Sequence, residues 1–386
     1  MMSKKILLIT NIPSPYRIPL FNRMHKDFAA NGFNLKVIFL TRTYARRKWT
    51  VNESEFEFDY EYLKDPYIAV GEGFTSLSAT LPIKLYHEKP ALVVVGGFTI
   101  PTIWVNLYCR MMAVPYAVWS GETQLQSMTR FELLHLRTAL RRFLARQASG
   151  AIAYGTYAKS YLESLGIETG KIFIGINTVD TDFFRTATEA ERLKKSERIR
   201  ALNLPEHNIL YVGNLTRDKG IHCLLKSYKL IESKIGSVAL HIVGDGNYMK
   251  SLIALTDELD LKNVKFWGFK QKSELPFFYA ISDLFVFPSF YDVWGLVCIE
   301  AMSAGLPVLS SSQAGITQDL IRDGYNGYQI EPSNYEDFGN KMMIILQNSA
   351  FRQTLASNAS ETVQQRFLIT HSSFGFLQAV RRLLEK

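Results

Sequence analysis

Short apolar runs alternate with helix-length segments along most of this chain. The runs at residues 6–10, 35–40, 92–95, 117–119 and 151–154 are apolar at nearly every position, with no polar residue at every second place. Continuous runs of this kind predict strands covered on both faces, as in a parallel sheet flanked by crossover helices. The same pattern returns at 209–212, 239–243, 264–267, 284–287 and 308–309. The doubling predicts an α/β protein of two Rossmann-like domains. Residues 186–207 between them are rich in charge, contain Asn203 and Pro205, and lack an apolar run. They are predicted to be the linker, with domains at 1–185 and 186–369. Residues 41–66 fit neither pattern and stay unassigned.

Composition narrows the class. A chain of 386 residues is too long for one average core, which agrees with two domains. Its 47% hydrophobic and 21% charged content excludes a disordered chain. Cys109, Cys223 and Cys298 are scattered and odd in number, which suits a reducing compartment. Only a short apolar run follows Lys4 and Lys5, and no stretch approaches the roughly 20 apolar residues of a membrane span. The expected location is therefore the cytoplasm, with peripheral contact at the inner face of the membrane as an extension. The net charge of +8 is uneven: residues 1–185 hold 22 Lys and Arg against 15 Asp and Glu, and the remainder 22 against 21. An anionic partner is thus expected on the first half. No nucleic-acid motif accompanies the charge, so an anionic membrane surface or a phosphate-bearing acceptor is favoured over nucleic acid.

Residues 287–308 carry the densest candidate chemistry. Asp292 and Glu300 are separated by a Trp-Gly-Leu turn, and the strong helix formers from Leu296 to Ala304 predict a helix opening at Gly295. The amides of Gly295, Leu296 and Val297 then lack intrahelical acceptors, and such an end attracts phosphate. An acid before the turn, free amides at it and an acid inside the helix could cradle a sugar, a diphosphate and a ribose. An ordinary capped helix with two incidental acids has the same spacing.

This stretch resembles the signature of retaining glycosyltransferases of family four, which have the GT-B fold: two Rossmann-like domains facing each other across a cleft. Pro288-Ser289, Gly295-Leu296, Glu300-Ala301-Met302 and Gly305-Leu306-Pro307-Val308 match it, and Asp292 stands where a glutamate is usual. The resemblance implies that Asp292 and the turn amides hold the donor sugar and that Glu300 accepts from both ribose hydroxyls. Two carboxylate oxygens suit that task.

Other segments extend the resemblance. Gly213, Asn214, Arg217 and Lys219 lie after the first strand of the second half, where a parallel sheet opens toward its ligand. Lys219-Gly220 match the family, and Lys219 is implied as a cation for the diphosphate. Asn214 replaces the usual arginine, for which Arg217 is a substitute in the same loop. The alternative reading of Lys219 is a surface lysine ahead of a helix. Residues 243–246 form a Gly-x-Gly turn of structural character. The resemblance implies that backbone groups at Gly268 and Phe269 read a uracil edge; an aromatic strand end in the core is the alternative. Asp180-x-Asp182 imitates a metal motif but sits in a connector, so no metal is expected.

The first half offers candidates for an acceptor. Tyr16 and Arg17 follow the first strand; Ser120 and Glu122 follow a later one and occupy a region where many relatives carry a histidine. Arg17 reads either as a ligand for a phosphate or acceptor, or as a structural arginine. Residues 129–148 predict a basic amphipathic helix, with Leu133, Leu136, Leu140, Phe143 and Leu144 in one stripe and Arg130, Arg137 and Arg141 beside it. It is either a packed domain helix or a membrane-surface helix.

The expectation is a metal-independent retaining glycosyltransferase without a cofactor. It moves a sugar from a nucleotide donor, a UDP-sugar such as UDP-glucose, to a glycan or lipid-linked acceptor in polysaccharide biosynthesis. Lys219 and Asp292 are the expected catalytic residues. Residues 370–386 are expected to return to the first domain, as the GT-B pattern implies. A GT-B sugar-nucleotide epimerase and a non-catalytic sugar-nucleotide binder are the alternatives.

Overall fold

The computed structural model describes residues 3–44, 47–70, 73–124 and 134–385. The chain divides into two units, Met1–Val179 with Ile369–Lys386, and Asp180–Leu368.

The first unit contains β1 (Lys4–Thr10), α1 (Ile18–Ala29), β2 (Phe33–Phe39), β3 (Asp59–Tyr62), β4 (Tyr67–Val70), β5 (Gly73–Ser76), α2 (Leu81–Glu88), β6 (Leu92–Gly96), α3 (Ile100–Met112), β7 (Tyr116–Ser120), α4 (Leu134–Gln147), β8 (Gly150–Ala153), α5 (Thr156–Ser164) and β9 (Ile172–Ile174). Its main sheet runs β3-β2-β1-β6-β7-β8-β9, every described pair parallel. The apolar runs are continuous because alternate side chains enter different cores. Ile6, Leu8 and Val94 pack with Phe21 of α1 and Phe376 of the last helix, whereas Leu7, Ile9 and Val95 pack with Leu85 of α2 and Val105 of α3. The last helix, Ile369–Leu384, lies against α1, where Ser373 donates to Asp27 at 2.6 Å. Residues 41–66, which the pattern left open, supply edge strand β3 and a short 3-10 turn, Glu53–Glu55. The β4–β5 hairpin forms a separate two-stranded sheet.

The second unit contains α6 (Thr181–Arg192), α7 (Lys195–Ala201), β10 (His207–Val212), α8 (Ile221–Ile235), β11 (Val238–Val243), α9 (Met249–Glu258), β12 (Val264–Phe266), α10 (Leu275–Ile281), β13 (Leu284–Phe287), α11 (Leu296–Ser303), β14 (Val308–Ser311), α12 (Thr317–Leu320), β15 (Gly327–Ile330), α13 (Tyr335–Gln347) and α14 (Ser349–Arg366). Its sheet runs β12-β11-β10-β13-β14-β15, again parallel. Each unit is thus Rossmann-like.

The predicted linker at 186–207 is largely helical instead. Asp180 caps α6 by accepting from the Phe183 amide at 3.1 Å, and Phe184 is buried on the face that packs against α10 and α11. Arg192 donates to the Ala304 and Gly305 carbonyls, tying the helix to the second unit. Its charges are the solvent face of an amphipathic helix, so charge density alone was a poor guide to a linker here. Among the described residues, no helix is long and apolar enough to cross a membrane.

Candidate active site

In an open parallel sheet, ligands settle beyond the strand ends at the point where the strand order reverses. In the second unit that point lies between neighbouring β10 and β13. The loop after β10 carries Gly213, Asn214, Arg217 and Lys219, and the loop after β13 carries Asp292 and Gly295. The topology therefore brings the two principal motifs together.

The loops are locked to one another. The Phe290 amide donates to the Asp218 carbonyl at 2.8 Å, while within its own loop the Ser289 hydroxyl donates to the Tyr291 carbonyl at 2.8 Å. Gly220 holds φ +68°, and a Cβ placed on it would come within 2.0 Å of the Pro288 carbonyl oxygen. Only glycine permits this approach. Lys219 completes the lock: its Nζ donates to the Tyr291 carbonyl at 2.7 Å and to Asp292 Oδ2 at 2.8 Å. The other Asp292 oxygen accepts from the Trp294 amide at 2.9 Å. A second strap holds the acid from behind, because the amides of Gly315 and Ile316 donate to the carbonyls of Asp292 and Trp294. The cation and the acid expected to share a donor are already partners.

Helix α11 starts at Gly295, whose φ of +109° favours glycine, and no side chain caps it. The Cys298 amide turns back to the Gly295 carbonyl, and among the described residues no acceptor takes the Leu296 or Val297 amide. Both residues are half-exposed. Glu300 lies farther along the helix, only 8% exposed, where its Oε2 accepts from the Tyr279 hydroxyl at 2.8 Å. Burial pushes the Glu300 carboxyl up to about 7, against the opposing influence of the Tyr279 hydroxyl and Lys272. The Tyr279 hydroxyl thus takes one acceptor position of the Glu300 carboxylate, which has others to offer a ligand.

The remaining donor candidates are placed as follows. Tyr211, fully buried beneath the loop, donates to the Asn214 carbonyl at 2.9 Å, and the Asn214 side chain is exposed. The Gly213 amide donates to the Val243 carbonyl, and Leu215 exchanges backbone bonds with Asp245 and Tyr248, which gives the Gly-x-Gly turn its structural role. Arg217 is exposed. The Gly268 carbonyl accepts from the Gly244 amide at 2.9 Å, and Phe269 beside it is exposed. Sequence reasoning missed Tyr211 and Tyr279. Both look like core tyrosines, and only the position of the hydroxyl distinguishes them.

The corresponding strand ends of the first unit hold a second cluster. Arg17 donates through Nη1 to Thr10 at 3.0 Å and through Nη2 to the Tyr154 hydroxyl at 2.6 Å. Its guanidinium lies 4.5 Å from the Trp119 ring centroid and 5.5 Å from that of Tyr16. Its Nε is buried without a hydrogen-bond partner. The arginine therefore ties together the ends of β1, β7 and β8. Ser120 accepts from the Glu122 amide, and Glu122 pairs with Arg141 of α4 at 3.1 Å. Tyr154, not singled out from the sequence, joins Arg17 to this group because it follows β8 directly. Of the predicted basic helix, Arg130 and Leu133 lie outside the described residues, as does the side chain of Leu136. Leu144 is buried, but Leu140 and Phe143 are exposed, so the stripe does not pack as a unit. Among the described residues, no group of three or more His, Cys, Asp and Glu could hold a metal ion.

Residues 194–362 match the family described as glycosyl transferases group 1. An uncharacterized glycosyltransferase of Methanocaldococcus jannaschii is 31% identical over 51% of this chain and 49% of its own length. The chain thus spans about half the length of that relative. The capsular polysaccharide biosynthesis glycosyltransferase CapM of Staphylococcus aureus is 25% identical over 76% of this chain and 78% of its own. The crystal structure of Anabaena HepE, in complex with UDP and glucose, superposes with a TM-score of 0.75, covering 98% of this chain and 99% of that one at 19% identity. Likeness at that identity establishes the shared GT-B fold.

Proposed function

We propose that this chain, which belongs to the group 1 glycosyltransferases through residues 194–362, moves a sugar from a UDP-sugar to a glycan or lipid-linked acceptor in polysaccharide biosynthesis, with retention at the anomeric carbon. The observation that carries this reading is the meeting of Lys219, Asp292, the open first turn of α11 and buried Glu300 at the strand-order reversal of the second sheet. UDP in the HepE complex and the capsular role in the name of CapM support the nucleotide and the pathway class.

In this reading Glu300 accepts from the ribose at the acceptor positions that remain beside its bond from the Tyr279 hydroxyl. The diphosphate lies before α11, where the Leu296 and Val297 amides donate to it. Lys219 exchanges Asp292 for a phosphate oxygen, and Asp292 is released to orient the sugar hydroxyls. The bond from the anomeric carbon to the β-phosphate oxygen breaks as the acceptor oxygen bonds to the same face. The acceptor proton passes to the departing diphosphate. Lys219 and the helix amides stabilise the charge that grows there, in positions set before the reaction. Asp180, the first acid of the apparent metal motif, is engaged as a helix cap and lies 3.7 Å from Lys272, which supports a reaction without a donor-bound metal. On the first unit, Arg17 offers a half-buried cation to an acceptor with an anionic group.

Incubation with UDP-sugars, with and without candidate glycans, tests the reading. UDP release that requires an acceptor, with the sugar recovered in the product as the retained anomer, is expected. Isomerised nucleotide sugar formed without acceptor would make the protein an epimerase, and binding without turnover would make it a non-catalytic binder.

A further inference from the structure

Three neighbouring helices of the first unit expose apolar residues that a water-facing surface does not need. Along α3, Ile103, Leu107 and Met111 recur at four-residue intervals on the outer face, and Met111 is 76% exposed. The neighbouring α2 exposes Ile83, at 63%, and Tyr86. Helix α4, which also packs against α3, exposes Leu140 and Phe143. Single exposed apolar residues are ordinary on a protein surface, but contiguous sets on adjacent elements mark a surface with a partner.

The charge identifies the partner. Helices α3 and α4 contain five arginines and no acidic residue. Arg110 follows Leu107 by three positions and so shares its outward face, while Arg137 and Arg146 flank Leu140 and Phe143 at the same spacing. All three are exposed, as is Arg142. An apolar strip edged by arginines matches the boundary between acyl chains and anionic headgroups, where long basic side chains reach outward from a buried stem. A second copy of this chain would set arginines against arginines and suits the face poorly.

We infer that the outer faces of α2, α3 and α4 form a docking surface for an anionic lipid bilayer. The face rests on the first unit alone and is independent of the donor site. Leu107 and Met111 enter the headgroup boundary, and Arg110 and Arg142 attract the charged lipid. Attachment is peripheral and reversible, weakening with salt because part of it is electrostatic.

Cosedimentation of the full chain with vesicles tests this. Partition to phosphatidylcholine mixed with phosphatidylglycerol should exceed partition to phosphatidylcholine alone by about tenfold and fall as salt is raised. The pair Leu107→Ser with Met111→Ser should reduce partition about tenfold, and so should Arg110→Gln with Arg142→Gln. These side chains are exposed, so circular dichroism should show an unchanged fold, and UDP affinity should stay constant. No partition by the folded protein, equal partition to both vesicles, or partition insensitive to the apolar pair overturns the inference. So does a concentration-dependent dimer, seen by light scattering and dissolved by the apolar pair, which assigns the face to a second copy. Loss of UDP binding in every sample, wild type included, would instead count against the donor site and leave the vesicle result standing.

Discussion

Lys219 Nζ sits 2.8 Å from Asp292 Oδ2, so the cation and the acid assigned to the donor hold each other across the two loops that form the site. A diphosphate must compete with Asp292 for Lys219. The pair is partly exposed, with side-chain exposures of 13% and 24%, so its coupling in the empty protein should be about 1 kcal/mol or less. A double-mutant cycle of Lys219→Ala and Asp292→Asn, read by denaturant unfolding, should give that coupling without UDP and much less with saturating UDP. Equal coupling under both conditions would show that the ion pair persists and that the proposed exchange does not occur.

Turnover should be far more sensitive to Lys219 than folding is. Lys219→Ala removes the charge facing the departing diphosphate, and kcat should fall by about 100-fold or more. Its bonds to Tyr291 and Asp292 join only two loops, so the melting temperature should drop by a few degrees at most. A large loss of stability with near-normal kcat would make Lys219 a structural residue.

Glu300 should confer a pH dependence on nucleotide binding. Burial raises its carboxyl from 4.5 to about 7. Accepting from ribose hydroxyls favours the ionised form, so UDP affinity should rise with pH through about 7 and level off above it. Stability should move the other way. Between 4.5 and about 7 the unfolded chain has released this proton while the folded chain retains it, so stability falls as pH rises across that window. Glu300→Gln should weaken UDP binding more than Glu300→Asp and abolish both dependences. Tyr279→Phe removes a bond that favours the charged form, so the midpoint for UDP binding should shift upward. Calorimetry over a pH series reads all four outcomes. A wild-type profile as flat as that of Glu300→Gln would remove Glu300 from the nucleotide site.

Gly220→Ala should disrupt the donor loops selectively. The added methyl would meet the Pro288 carbonyl oxygen at 2.0 Å in a backbone conformation with φ +68°, so the loop must move or the helix behind it must shift. A loss of stability of about 1–3 kcal/mol, with UDP binding weakened in parallel, is expected. Normal UDP affinity in this variant would show that the interlocked loops are not required for the site.

Much of the fold was legible because its strands are covered on both faces. Burial turns the residues of β1, β6, β10 and β13 into unbroken apolar runs. Edge elements carry weaker signals: β3 is only partly buried, and β12 has no fully buried residue. The supposed linker shows a different limit, because the buried face of α6 is sparse and its acids and bases dominate a linear reading. At the site, the resemblance to a family signature pointed to Lys219, Asp292 and Glu300, because their spacing alone fits an ordinary capped helix as well; the pairing of β10 with β13, which brings the two loops together, came only with the fold. Their partners were not legible. Nothing in the sequence shows that Tyr279, fixed by α10, reaches Glu300, or that Asp292 and Lys219 meet before any ligand arrives.

UDP binding to the second unit is the central claim, and calorimetry at pH 8 on wild type and Glu300→Gln measures it most directly. Wild type should bind UDP saturably with one site per chain, and the variant should bind at least about tenfold more weakly while keeping its fold, as expected when a charge-assisted hydrogen bond is lost. Folded wild type that shows no heat of binding at millimolar UDP, or a variant that binds as tightly as wild type, would contradict the account.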